Sequence, residues 1–182
     1  MNIFNRNKIS KLIVIQIHCL LCLIIYSGCG LSTNLVQNNQ SFHFILKYGQ
    51  YAKNVLNTFE GTFTKDMVVD STITIKFALS QEELDSIQNK MVEINIFEYP
   101  EKYQPWQDDG PPSNSVIDHT SYNTYYFKIQ LGNQLKEIFW TDSNWSKATK
   151  AIRLRNLISQ IVMMIESKKE FKKLPPPLGL YL

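Results

Sequence analysis

Between Thr72 and Leu79 the chain reads Thr-Ile-Thr-Ile-Lys-Phe-Ala-Leu, so Ile73, Ile75, Phe77 and Leu79 alternate with small or polar residues. A period of two sends successive side chains to opposite faces, which predicts a half-buried strand. Ser80 then opens Ser-Gln-Glu-Glu, the pattern in which the serine caps a helix and Glu83 reaches back to the Ser80 N–H. Leu84, Ile87, Met91 and Ile94 follow at helical spacing and predict a helix over 81–93 that lays one apolar stripe on a sheet. Ile94 to Tyr99 is expected to return as a short strand.

Residues 124–141 predict a hairpin about Gly132-Asn133, a pair suited to a two-residue turn. Counting outward opposes Phe127 to Ile138 and Tyr125 to Trp140 on one face. The other face opposes Lys128 to Glu137 and Tyr126 to Phe139. Apolar meets apolar and cation meets anion, as a correct register requires. A second helix is expected from about Lys147 to Lys169, with Ala151, Leu154, Ile158, Ile161 and Ile165 as its stripe. Pro175-Pro176-Pro177 ends anything helical, and the expectation for Leu178 to Leu182 is a return to the sheet.

Phe42 to Tyr48 is the first core-like run, and the weakly periodic stretch after Gly49 is read as one short strand ending near Val69. The order β, β, α, β, long loop, hairpin, α predicts an α+β fold, one antiparallel sheet of about five strands with two helices on one face. No internal repeat is present.

Residues 1–11 carry Arg6, Lys8 and Lys11 and no acid, and residues 12–26 are almost wholly apolar. A basic start, a short apolar run and small residues at its end make a secretory signal. Fifteen helical residues span about 22 Å, short of a bilayer core of about 30 Å, so cleavage is expected rather than a permanent span. Ile25-Tyr26-Ser27-Gly28-Cys29 resembles a bacterial lipobox, the sequence cut by lipoprotein signal peptidase before a cysteine that receives diacylglycerol. Tyr26 departs from the usual aliphatic residue of that motif. The resemblance implies a signal over 1–28, a lipid-bearing Cys29 as mature N-terminus, and membrane attachment through its acyl chains. Residues 29–41, Asn/Gln-rich, are read as a tether, and 42–182 as a single domain.

Composition fits that reading. The cysteines are Cys19, Cys22 and Cys29, so no thiol remains for a disulfide in the exported domain. Loss of the signal's three cations leaves sixteen bases against sixteen acids, so the overall charge of +3 is no argument for nucleic acid. Phe44 to Asp66, the helix start LSQEELDSIQNKM, Tyr99-Pro100 and the closing KLPPPLGLY resemble a family of small uncharacterised bacterial lipoproteins. The resemblance covers most of the mature chain and implies no activity.

Candidate chemistry is sparse. No GxSxG elbow, spaced metal ligands or glycine-rich phosphate loop occurs, and no cofactor is implied. His119 with Asp118 reads as solvated loop, and His43 as a strand residue. Asp66 and Asp70 read as turn residues accepting backbone bonds, and Asp108-Asp109-Gly110 lacks the spaced acids of a calcium loop. The cations between Lys147 and Lys173 read as a solvated helix face with lipid contact as the alternative. The long connection 99–123 is the candidate binding surface, with Tyr99, Tyr103 and Trp106 as aromatic anchors and Asp108 and Asp109 beside them. The sequence therefore reads as a lipid-anchored envelope domain with a binding or structural role and an envelope protein as the expected partner. The alternative is a small hydrolase using acidic residues that the sequence does not single out.

Overall fold

The computed structural model of the chain describes residues 41–105, 108, 123–142, 146–179 and 181. Seven strands form one sheet: β1 (Phe42–Tyr48), β2 (Asn54–Asn57), β3 (Thr62–Lys65), β4 (Ile73–Lys76), β5 (Lys102–Tyr103), β6 (Asn123–Leu131) and β7 (Gln134–Asp142). Their order across the sheet is β4-β3-β2-β1-β6-β7-β5. The helices are α1 (Gln81–Glu93), α2 (Thr149–Ser167) and the short α3 (Lys169–Lys172). Among the described residues the fold is α+β, with a mixed sheet of seven strands and three helices. The expected purely antiparallel sheet of about five strands with two helices is corrected in three places.

The first correction lies between Gly49 and Val69. Instead of one strand, β2 and β3 form an antiparallel hairpin that pairs Val55 with Thr64 and Leu56 with Phe63. Its turn is built by Asn57, whose Oδ1 accepts from the N–H groups of Phe59 and Glu60 at 3.0 and 3.3 Å. The second is β5, which runs parallel to β7 and pairs Tyr103 with Trp140. The third is at Ile94–Tyr99, where a 3₁₀ turn over Ile96–Glu98 replaces the expected strand. Asn95, at φ 54°, turns the chain at the end of α1, a left-handed conformation that asparagine tolerates.

The hairpin of β6 and β7 has the register expected from its turn, including Tyr125 opposite Trp140, Phe127 opposite Ile138 and Lys128 opposite Glu137. The helix stripes also fall as expected. Ile87 and Met91 of α1 and Ala151, Leu154, Leu157, Ile158, Ile161 and Ile165 of α2 are buried. They meet Phe44, Leu46, Leu56, Phe63, Phe127, Ile129, Ile138 and Trp140 in one core, so both long helices cover the same sheet face. α2 stops at Ser167 rather than at Lys169, because Lys168 is extended and α3 begins beyond it. The C-terminal segment comes back beside the end of β3 rather than as a strand of the sheet: Leu178 makes an isolated bridge to Val68, and Lys65 Nζ donates to the Pro175 carbonyl at 2.7 Å.

Ser80 and Glu83 form both halves of the capping box, and Glu83 also receives Lys168 Nζ at 2.5 Å, joining α1 to the end of α2. Burial works against the charged Glu83 carboxylate, but the Lys168 ammonium and the Ser80 N–H outweigh it and hold the carboxyl below its ordinary value. A folded pKa below the unfolded one gives stability that is present above the unfolded carboxylate range and lost as pH falls through the folded value. Urea unfolding at about pH 7 and about pH 3 should therefore cost the wild type more on acidification than Glu83→Gln. Equal acid losses in the two proteins would refute this role for Glu83.

Candidate functional site

The sheet has a second face, and among the described residues no helix packs on it. The strand registers set its side chains in rows across the sheet. One row runs Thr74, Thr64, Val55, Lys47, Tyr126, Phe139 and Lys102. Beside it runs Lys76, Thr62, Asn57, Ile45, Lys128 and Glu137, and a shorter third row carries His43, Gln130 and Leu135. Strand alternation produces this face directly, because the neighbours Leu46, Leu56, Phe63, Phe127 and Ile138 all turn into the core.

Its centre is aromatic and basic. The Tyr126 and Phe139 rings lie 4.7 Å apart, with Lys47 Nζ 5.4 Å from the Tyr126 centroid. Lys128 and Glu137 stand 3.9 Å apart across the hairpin. Burial, and then the neighbouring Glu137 charge, push the Tyr126 phenol above its ordinary value, so it stays a neutral donor. Phe139 is 50% exposed and Leu135 59%, so both leave apolar surface open on this face. At the adjoining turn Phe59 stacks on His43 at 5.2 Å. The face offers aromatic surfaces, ammonium groups and hydroxyls to whatever lies against it. Such groups bind by stacking, burial and charge.

The carboxylate Asp66 is committed elsewhere. It is 8% exposed, its Oδ1 accepts from the Val68 N–H at 3.1 Å, and its Oδ2 accepts from the Tyr181 hydroxyl. Lys53 Nζ lies 5.0 Å from the Tyr181 ring and 5.8 Å from that of Tyr51. Hydrogen bonding to Tyr181 raises Lys53, and bonding to Asp66 raises Tyr181, so the phenol stays protonated. Val68 at φ 67° and Tyr51 at φ 56° are strained at this corner. Gly179, at φ 85°, passes so close to Val69 that a Cβ would lie 2.6 Å from its Cγ2. The geometry makes a clasp for the C-terminal segment, in line with Asp66 as turn chemistry. Asp70 is exposed and does not join it.

Of the candidate site residues, Tyr103 is corrected most sharply. It is 1% exposed and packs against Trp140 at 6.2 Å, and its hydroxyl donates to Asp108 Oδ2 at 2.8 Å. Tyr99 is likewise buried, meets Tyr103 edge-on at 5.5 Å and donates to the Lys150 carbonyl. Burial pushes its phenol up to about 12. Both tyrosines are core residues holding α2 to the β5 edge, so neither is an interface anchor. Asp108 is exposed beyond them. Trp106, Asp109, Asp118 and His119 lie outside the described residues, as do Cys29 and the whole of 1–40.

Among the described residues no group of three His, Cys, Asp or Glu side chains is placed to hold a metal, and no helix is long and apolar enough to cross a membrane. An open polar groove between α1 and α2 is lined by Glu82, Asp85, Ser86, Asn89, Lys90, Glu93 and Gln160. The residues of the open sheet face were present in the sequence as the outward half of each alternation. Only the strand order brings Lys47 beside Tyr126 and Phe139. No family of known proteins matches the chain, and no curated protein matches it.

Proposed function

We propose that the chain is an envelope protein held on a bilayer through diacylglycerol on Cys29, with an α+β domain that works by binding through the open sheet face. The observation that carries the binding role is the Tyr126–Phe139 ring pair, with Phe139 half-exposed and Lys47 and Lys102 flanking it, on a sheet whose opposite face packs against the helices. Large apolar side chains held half-exposed on a rigid strand lose little conformational freedom when a partner covers them, which favours association. The lipobox resemblance at Ser27-Gly28-Cys29 supports the anchor. The hydrolase alternative gains nothing specific, since Asp66 already accepts two hydrogen bonds within the C-terminal clasp.

Two measurements test the proposal in cells. Metabolic labelling with palmitate should mark the wild type and fail on Cys29→Ala, and labelling that survives the substitution would overturn the anchor. A photo-crosslinking residue at position 139 should form adducts with envelope components, whereas the same residue at position 86, exposed on α1, should form few. No adducts at 139, or equal yields at the two positions, would overturn the binding face.

A further inference from the structure

We infer that the open sheet face lies on an anionic bilayer surface, a lipid-contact site separate from the acyl chains on Cys29. This rests on the reading of that face as the binding face and names what it binds. Charge complementarity carries the argument. Among the described residues, Lys47, Lys76, Lys102 and Lys128 belong to this face, against the single acid Glu137. Glu60, in the β2–β3 turn, and Glu101, ahead of β5, stand only at its margins.

The layout of these cations selects an extended partner. Lys76 is on β4 and Lys102 on β5, the two edges of the sheet. Six strand spacings separate them, about 29 Å. Charges spread over that width suit a surface of many negative groups better than one small anion. Between them the Tyr126 and Phe139 rings offer apolar bodies, and Tyr126 a protonated hydroxyl, the combination that settles at the headgroup level of a bilayer. Each lysine brought to an anionic surface favours contact about fivefold. Twelve residues separate Cys29 from Phe42. Even fully extended they reach only about 45 Å, so an anchored domain stays beside the surface and a weak contact is enough to orient it.

The test uses the full chain with Cys19, Cys22 and Cys29 replaced by serine, so no acyl chain contributes. Phe139→Cys or Ser86→Cys then carries a polarity-sensitive nitrobenzoxadiazole dye. The probes are vesicles of phosphatidylcholine alone and vesicles with one-third phosphatidylglycerol, compared at equal amounts of bound protein because residues 12–26 enter both. The dye at 139 should brighten severalfold and shift to the blue on the anionic vesicles only, and the effect should collapse in molar salt. The dye at 86 should not respond. Lys47→Glu with Lys76→Glu, both exposed and so tolerated by the fold, should abolish the response at 139.

A silent dye at 139, an equal response on neutral vesicles, or the same response to soluble polyphosphate at matched phosphate concentration would each overturn the inference. Crosslinks at 139 in cells combined with a silent dye would leave the binding face standing and remove the bilayer as its partner.

Discussion

Replacing Trp140 with alanine should destabilise the domain by about 3–5 kcal/mol, the range for deleting a large buried aromatic. The ring is 1% exposed, lies 4.8 Å from Tyr125 with a 28° tilt, and touches Tyr103 on its other side. Tyr103 in turn meets Tyr99, which is bonded to the α2 backbone. Truncation therefore opens a hole that three rings and a helix would have to fill together. Domains of this size have total stabilities of about 5–15 kcal/mol, so the melting temperature should fall far enough to see by circular dichroism. Trp140→Phe should cost less. It keeps a ring in the stack and removes an indole N–H that has no hydrogen-bond partner among the described residues.

The adjacent position gives the control. Phe139 points to the opposite face and is half-exposed, and its loss removes little more than the contact with Tyr126, worth up to about 1.5 kcal/mol. A β-strand sends neighbouring side chains to opposite faces, so the large and small effects should fall on Trp140 and Phe139 in that order. A Trp140→Ala protein with an unchanged melting curve would show that this stack does not hold the core.

The parts of the fold that could be read in the sequence are those where one short segment fixes its own geometry. Gly132-Asn133 sets the turn, and the identities of Tyr125, Phe127, Ile138 and Trp140 then set the register. Ser80 and Glu83 fix where α1 starts in the same local way. The missed parts depend on distant partners. β2 and β3 have four residues each, too few for alternation to be recognised, although Asn57 and Gly61 (φ 62°) are a turn signal that was present. β5 has two residues, and only pairing with β7, more than thirty residues on, makes it a strand. That pairing is also why Tyr103 misled: an aromatic in a proline-containing connection reads as an exposed anchor until β7 covers it.

The candidate site was legible only in part for the same reason. The outward halves of β1, β6 and β7 read as polar alternation broken by Ile45, Tyr126, Leu135 and Phe139. Lys47 comes beside Tyr126 because β1 pairs with β6, and Lys102 beside Phe139 because β5 pairs with β7. These juxtapositions are facts of topology, and no period along the chain encodes them. Clasping of Asp66 by Tyr181, separated by 115 positions in the chain, is a further case.

Arg155→Met should cost about 3 kcal/mol, the lower end for breaking a buried ion pair. Arg155 Nε and Nη2 each donate to Asp142 at 2.8 Å, and Nη1 donates to the Ser146 carbonyl at 2.8 Å. The pair ties the end of β7 to α2 just where the chain enters that helix. Asp142 is 2% exposed, so losing both charged hydrogen bonds leaves its carboxylate poorly compensated, whereas a quarter of the Arg155 side chain still meets solvent and moderates the loss. Arg155→Lys should not restore stability, because an ammonium cannot reproduce the planar two-pronged contact. Asp142→Leu combined with Arg155→Met should recover most of it, since the penalty of the single change is the buried charge left behind rather than the absence of the pair. Urea unfolding of the two single variants and the double variant measures the coupling directly. A cost below about 1 kcal/mol for Arg155→Met would put this contact with ordinary surface ion pairs, and an additive double variant would remove the coupling on which the argument depends.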